Sequence, residues 1–245
     1  MIEISPVLEI NNLCKKFGGI RAIHDLNIQV EPGKVTGLLG PNGSGKTTLF
    51  NLITGVYTSD SGIIRFRGHD ITNQAPHRIA LKGISRTFQT TKLFFHQSVT
   101  DNIAIAMIAG DEKKKIQRAH DKIDGMLELT SLSDFRNTRA GDLTHAEQRR
   151  LMAAMALVKN PDLLLLDEIT SGMSGEECNG IMAMIEKIMH NGTTIIMIEH
   201  NMRVAMALCD HVIVISFGEK IAEGTPEEIT GNEAVLEAYL GRDEY

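Results

Sequence analysis

Gly40-Pro41-Asn42-Gly43-Ser44-Gly45-Lys46-Thr47 decides how this chain is read. The octapeptide fits the pattern GxxxxGK[ST]; Val35 to Leu39 before it reads as a buried strand, and Thr48 to Leu52 after it as a helix. The chemistry calls for these residue types. Glycines let successive backbone N–H groups converge on one anion, and the start of the following helix adds the positive end of its dipole. Lys46 is expected to neutralise the β- and γ-phosphates of a nucleoside triphosphate, and Thr47 to offer its hydroxyl to the Mg²⁺ that bridges them. Thr48 is counted with the same nucleotide-binding set. The bland alternative, a glycine-rich turn that holds nothing, is disfavoured because every motif position and both flanking elements match.

Working outward, Leu163 to Leu166, Thr194 to Ile198 and Val212 to Ile215 join Val35 to Leu39 as short, wholly apolar or β-branched runs. Such runs are strands buried on both faces, so the fold class is α/β with a mainly parallel sheet covered by helices. Leu163-Leu-Leu-Leu-Asp167-Glu168 carries its acids to the end of a strand, where ligands gather in parallel sheets. Asp167 is a candidate to hold Mg²⁺ through its water shell, and Glu168 a candidate general base toward the attacking water. His200 follows the strand Ile195 to Glu199 and is expected at the same sheet edge. Between about Leu93 and Lys159 the strand signal fades; Ile116 to Leu129 and Gln148 to Val158 have helical spacing. That stretch reads as a helical insertion bounded by Thr90-Thr91 and Asn160-Pro161. The basic run Lys113 to Lys115 is flanked by acids and reads as a solvated helix face.

Composition narrows the function classes. The chain has 245 residues, 42% hydrophobic and 23% charged, which is globular rather than disordered or fibrous. A net charge of −6 argues against a nucleic-acid footprint. No apolar run approaches a membrane helix, and Met1 to Ile10 lacks the pattern of a secretory signal. Three cysteines without ligand spacing read as small hydrophobes in a reducing cytoplasm, and nine histidines form no zinc motif, so any metal is expected to arrive with a ligand.

With the phosphate loop, the acid pair and His200 in place, the chain resembles the ATP-binding subunit of an ABC transporter over nearly its whole length. The resemblance implies a RecA-like P-loop NTPase core with an antiparallel N-terminal β subdomain and an inserted α-helical subdomain. It divides one nucleotide-binding domain into a core of about 1–89 and 160–225, an insertion of about 90–159 and a helical tail of about 226–245. It implies that Phe17 stacks on adenine, the alternative being a core Phe. In Arg86-Thr-Phe-Gln89 it makes Gln89 the residue that senses Mg²⁺ and the attacking water. His200 then contacts the γ-phosphate, and Leu93-Phe94 through Asn102 opens the subdomain that receives a membrane subunit.

The family's signature, near LSGGxQ, corresponds to Leu143-Thr144-His145-Ala146-Glu147-Gln148. Thr144 keeps a hydroxyl, while His145 and Ala146 stand where the family has glycines. The signature closes over ATP held by a second subunit, so the Cβ of Ala146 is expected to obstruct that approach and to favour a heterodimer. Ser174 replaces a usual Asp in the loop after Glu168. Arg86-Thr-Phe-Gln89, Ser171-Gly-Met-Ser174, Ile198-Glu-His-Asn-Met202 and the tail Ala238-Tyr-Leu-Gly241 are most similar to branched-chain amino acid importers. Urea importers share much of this, and lipopolysaccharide export ATPases are related in the core. The implied partners are ATP, membrane permease subunits, a second ATP-binding subunit and, indirectly, a substrate-binding protein, at the cytoplasmic face of the membrane. A weakly hydrolysing regulatory subunit is the competing reading. A GTP switch is weakest, since no NKxD element is present.

Overall fold

The computed structural model describes residues 5–87, 93–108 and 116–240. Gln89, the Thr90-Thr91 turn, Lys113 to Lys115 and Gly241 lie outside the described residues.

All four apolar runs enter one sheet. Its strands are β3 (Val35–Leu39), β6 (Ile84–Arg86), β7 (Leu163–Asp167), β8 (Thr194–Ile198), β9 (His211–Ser216) and β10 (Glu219–Gly224), in the order β10-β9-β3-β8-β7-β6. Pairing is parallel except where β10 turns back on β9. Every residue of β3, β7 and β8 is buried, which is why these strands lack a polar alternation. Period-two geometry sorts them between two cores. Leu163, Leu165, Ile196 and Ile198 face a cluster with Phe50 and Ile53 of α1 (Lys46–Ile53). Leu164, Leu166, Ile195 and Met197 face the opposite cluster, with Ile181, Ile185 and Ile188 of α6 (Gly175–His190) and Val204 of α7 (Met202–Leu208).

A second sheet is antiparallel: β1 (Leu8–Phe17), β2 (Ile20–Val30), β4 (Ser61–Phe66) and β5 (His69–Asp70), in the order β2-β1-β4-β5. Its apolar side joins the α1 cluster through Leu8, Ile10, Leu26 and Ile64. The α2 helix (Pro76–Leu81) precedes β6. Between β6 and β7 the described residues hold α3 (Val99–Ile108), α4 (Ile116–Leu129) and α5 (His145–Leu157) around a third core of Val99, Ile103, Leu127, Leu132 and Leu151. The short helices α8 (Pro226–Thr230) and α9 (Glu233–Leu240) follow β10 and return to the main core through Ile229 and Val235.

Because β3, β6, β7 and β8 run the same way, their carboxyl ends share one edge. That edge receives the Gly40 loop, Thr87, Glu168 and Glu199-His200. The loop is pressed against neighbouring backbone. Gly40 has φ +146°, and a Cβ there would lie 2.0 Å from the Ile215 carbonyl, whereas Gly43 at φ +79° has nothing within 4 Å. Gly43→Ala should therefore cost about 1–2 kcal/mol, the left-handed penalty alone. Gly40→Ala should cost clearly more in urea unfolding, because backbone has to move as well; equal losses would contradict this packing.

Candidate nucleotide site

The α1 helix starts at Lys46, two residues earlier than the sequence pattern suggested, so Lys46, Thr47 and Thr48 occupy its first turn. Gly45 is the N-cap; it contributes no side-chain cap, and the first turn holds no acid. The helices α5, α6 and α8 are built differently: Thr144 with Glu147, Ser174 with Glu177 and Thr225 with Glu228 form closed capping boxes. Only α1 among these leaves its first N–H groups and dipole without a carboxylate, the arrangement that suits an external anion.

Lys46 is buried, and its Nζ donates to the carbonyls of Gly40 at 2.7 Å and Pro41 at 2.8 Å. Burial lowers its pKa, opposed by the charges of Glu168 and Asp167. The lysine and the acid pair therefore share one electrostatic site. Asp167 is 1% exposed, and Arg86 Nη2 donates to its Oδ2 at 2.6 Å. The Asp167 N–H is taken by Thr87 Oγ1 at 3.1 Å. The Arg86 guanidinium also reaches Asn51 Oδ1 of α1 at 2.6 Å and lies over the Phe50 ring. One arginine thus ties β6, β7 and the phosphate-loop helix together. Asp167 Oδ1 is buried with no hydrogen-bond partner among the described residues. A buried carboxylate oxygen left over in this way, with the Thr47 hydroxyl on the neighbouring helix, is a hard oxygen donor set that fits Mg²⁺.

Glu168 has φ +49°, an uncommon conformation for a non-glycine, and its N–H is held by the Ile198 carbonyl at 2.9 Å. That turn aims Glu168 Oε1 at His200 Nε2, 2.7 Å away. The two candidate catalytic groups are thus in direct contact, with His200 just past β8, which ends at Ile198. Beside them Glu199 is 2% exposed and accepts from Thr170 N–H and Oγ1. Burial raises its pKa. It anchors the loop after Glu168 to the segment carrying His200. From α5, buried Arg149 has its pKa lowered by burial, against the pull of Glu168, Asp167 and Glu199.

Phe17 is not a core residue. It is 42% exposed, meets Tyr57 edge-on at 5.2 Å between centroids and has Lys15 over its ring. The signature segment differs from the expectation in one respect. Ala146 is 5% exposed, covered by its own chain at the second position of α5, so its methyl does not project as an obstruction. Thr144 and His145 are the exposed pair, which moves the departure from glycine to the imidazole. Pro41, Asn42, Ser44, Gly43 and Gly45 complete the loop; Ser44 is buried, and its carbonyl accepts the Gly218 N–H at 2.9 Å. Arg86, Asn51, Thr87 and Glu199 were not singled out as site residues in the sequence. Arg86 and Glu199 belong to quoted motifs, but only burial reveals their pairing.

The sheet order, the glycine loop opening α1 and the acids at the ends of β7 define a P-loop NTPase. The chain belongs to the ABC transporter family, whose profile matches residues 23–171, and it is an ATP-binding subunit and ATPase of that family. The profile "Branched-chain amino acid ATP-binding cassette transporter" matches residues 219–245. The high-affinity branched-chain amino acid transport ATP-binding protein BraF of Pseudomonas aeruginosa is 38% identical, covering 96% of this chain and 98% of the relative. The lipopolysaccharide export system ATP-binding protein LptB of Escherichia coli is 34% identical, with the same coverage. Among solved structures, a nucleotide-free ATP-binding cassette from an ABC transporter superposes with a TM-score of 0.88 at 30% identity, covering 96% of this chain and 99% of that one.

The Arg86–Asp167 pair is testable directly, since removing one partner of a buried ion pair costs about 3–5 kcal/mol. Arg86→Gln should lose that much stability, and Arg86→Gln with Asp167→Asn should regain most of it in urea melts. A single variant as stable as the parent would show that the pair is not formed.

Proposed function

We propose that this chain grips MgATP between the Gly40–Thr47 loop and the Asp167-Glu168 pair and, with a second ATP-binding subunit, drives import of branched-chain amino acids through membrane permeases. One observation carries the reading: the buried Lys46, the orphaned Asp167 oxygen and the Glu168–His200 contact converge at the uncapped start of α1.

Each side chain then has a task. The loop N–H groups and the α1 dipole hold the phosphates, and Lys46 leaves its backbone carbonyls to neutralise the β- and γ-oxygens. Thr47 and Asp167 would hold Mg²⁺, which when bound would supply positive charge beside the phosphate oxygens. Glu168 orients and accepts a proton from the attacking water, while His200 fixes the Glu168 carboxylate and reaches the γ-phosphate. Phe17 presents its exposed face to the adenine. Gln89 is assigned the role of linking this site to the insertion of about 90–159, which docks on the permeases at the cytoplasmic face of the membrane. Among the described residues no helix is long and apolar enough to cross a membrane itself. The signature start, Thr144-His145, closes over ATP held by the partner subunit. With an exposed imidazole there, a heterodimer with a differently sequenced ATPase remains the favoured assembly.

The cargo assignment rests on the C-terminal match at residues 219–245, since 38% and 34% identity separate an amino acid relative from a lipopolysaccharide relative only narrowly. The experiment is Glu168→Gln. Losing the general base should lower ATP turnover by about 10²-fold or more, with nucleotide still bound and dimers accumulating. In proteoliposomes carrying the permeases and binding protein, leucine should stimulate ATP hydrolysis. Unchanged turnover in the variant would favour the regulatory reading, and the absence of any response to branched-chain amino acids would remove the cargo.

A further inference from the structure

The tail motif Ala238-Tyr-Leu-Gly241 has no part in the mechanism above, yet Tyr239 touches its centre. The hydroxyl of Tyr239 accepts the N–H of Gly40 at 2.7 Å, across 199 residues of sequence. Gly40 is the first residue of the phosphate loop, wedged so closely that a Cβ would meet the Ile215 carbonyl at 2.0 Å and Ser44 Oγ at 2.8 Å. Its carbonyl is bonded to Lys46 Nζ. Both backbone polar groups of Gly40 are therefore engaged by side chains, one from within the loop and one from the far end of the chain. Behind Tyr239, Val235 of α9 and Ile229 of α8 are buried in the main core, so the tyrosine projects from an anchored element. Burial raises its pKa, which keeps the phenol protonated.

We infer that α9 is a strap for the phosphate loop and Tyr239 a positioning residue for ATP. The inference rests on the nucleotide reading and deepens it. When Lys46 turns to the phosphates, the Gly40 carbonyl gives up that partner, and the Tyr239 contact is left to hold the loop's first residue against β9. A backbone N–H with no acceptor inside a packed fold is unfavourable, so losing the hydroxyl loosens the loop before ATP arrives. Gly40 bonds to Tyr239 and Lys46 and carries none of the groups that act on the attacking water. The contact therefore serves bound substrate and transition state alike, and its loss belongs in KM rather than kcat. Linkage makes the effect reciprocal: ATP on the loop holds α9 in place, and release of α9 weakens ATP binding.

Tyr239→Phe keeps the ring and removes the acceptor. By calorimetry the variant should bind MgATP about 3- to 10-fold more weakly, the worth of one neutral hydrogen bond, with KM rising in step and kcat changing less than about twofold. Hydrogen exchange should quicken at the Gly40 amide, and MgATP should slow exchange across α9 in the parent protein more than in the variant. Leu236→Gln, on the exposed side of α9, should leave ATP affinity unchanged. Parental affinity in Tyr239→Phe, a loss confined to kcat, or an α9 indifferent to ATP would each overturn the strap while leaving the nucleotide site intact. A parent protein that binds no MgATP would overturn both, and the Gly40 exchange rate would still report on the contact itself.

Discussion

A buried ammonium and a buried carboxylate at one edge of a parallel sheet set the terms for the rest of this molecule. Neither charge is tolerable in a protein interior without partners. Lys46 is supported by the carbonyls of its own loop, and Asp167 by Arg86 and Thr87, which brings β3, β6, β7 and α1 to one point. The apolar runs that deliver these groups are the core of the sheet. Stability and site geometry therefore come from the same residues: the strands cannot shift by one position without exchanging their two faces and withdrawing the charges from the edge.

The same economy extends outward from the edge. Glu199 holds Thr170 in the loop after Glu168, and Arg86 holds Asn51 in the helix behind the phosphate loop. Ser174, where the family resemblance led to the expectation of an Asp, caps α6 with Glu177 and so has a local structural role. His145 stands exposed where the signature has a glycine, next to a Thr144 already committed to capping α5. In the assembly proposed above, this chain would bring an intact phosphate loop and acid pair to one ATP and an altered signature to the other, an asymmetry that a heterodimer would accommodate.

Much of this was legible from the sequence because its signals are local. The glycine loop with the strand before it, the run ending in Asp167 and the run before His200 each combine a strand and its terminal chemistry in one short contiguous stretch. The N-terminal sheet was not legible in that way and entered only through family resemblance. Register shifts in the β1–β2 pairing after Ile10 and Leu13, with positive φ at Asn12 and Asp25, break the alternation that marks a half-buried strand. The helical spacing starts at Gln148, whereas α5 begins at His145, because Thr144 to Glu147 matches the family's signature and is at the same time a capping box. Arg86 and Tyr239 were hidden for a different reason: their partners lie 81 and 199 residues away, and no periodicity encodes a pairing across the sheet edge.

The claim beneath all of this is that Lys46 and the acids at the end of β7 form a grip for the phosphates of ATP. Calorimetric titration of MgATP into the parent protein and into Lys46→Ala tests it most directly. The expected result is one saturable heat per chain in the parent and none in the variant at the same concentrations. No heat in the parent, or the same isotherm in both, would contradict it.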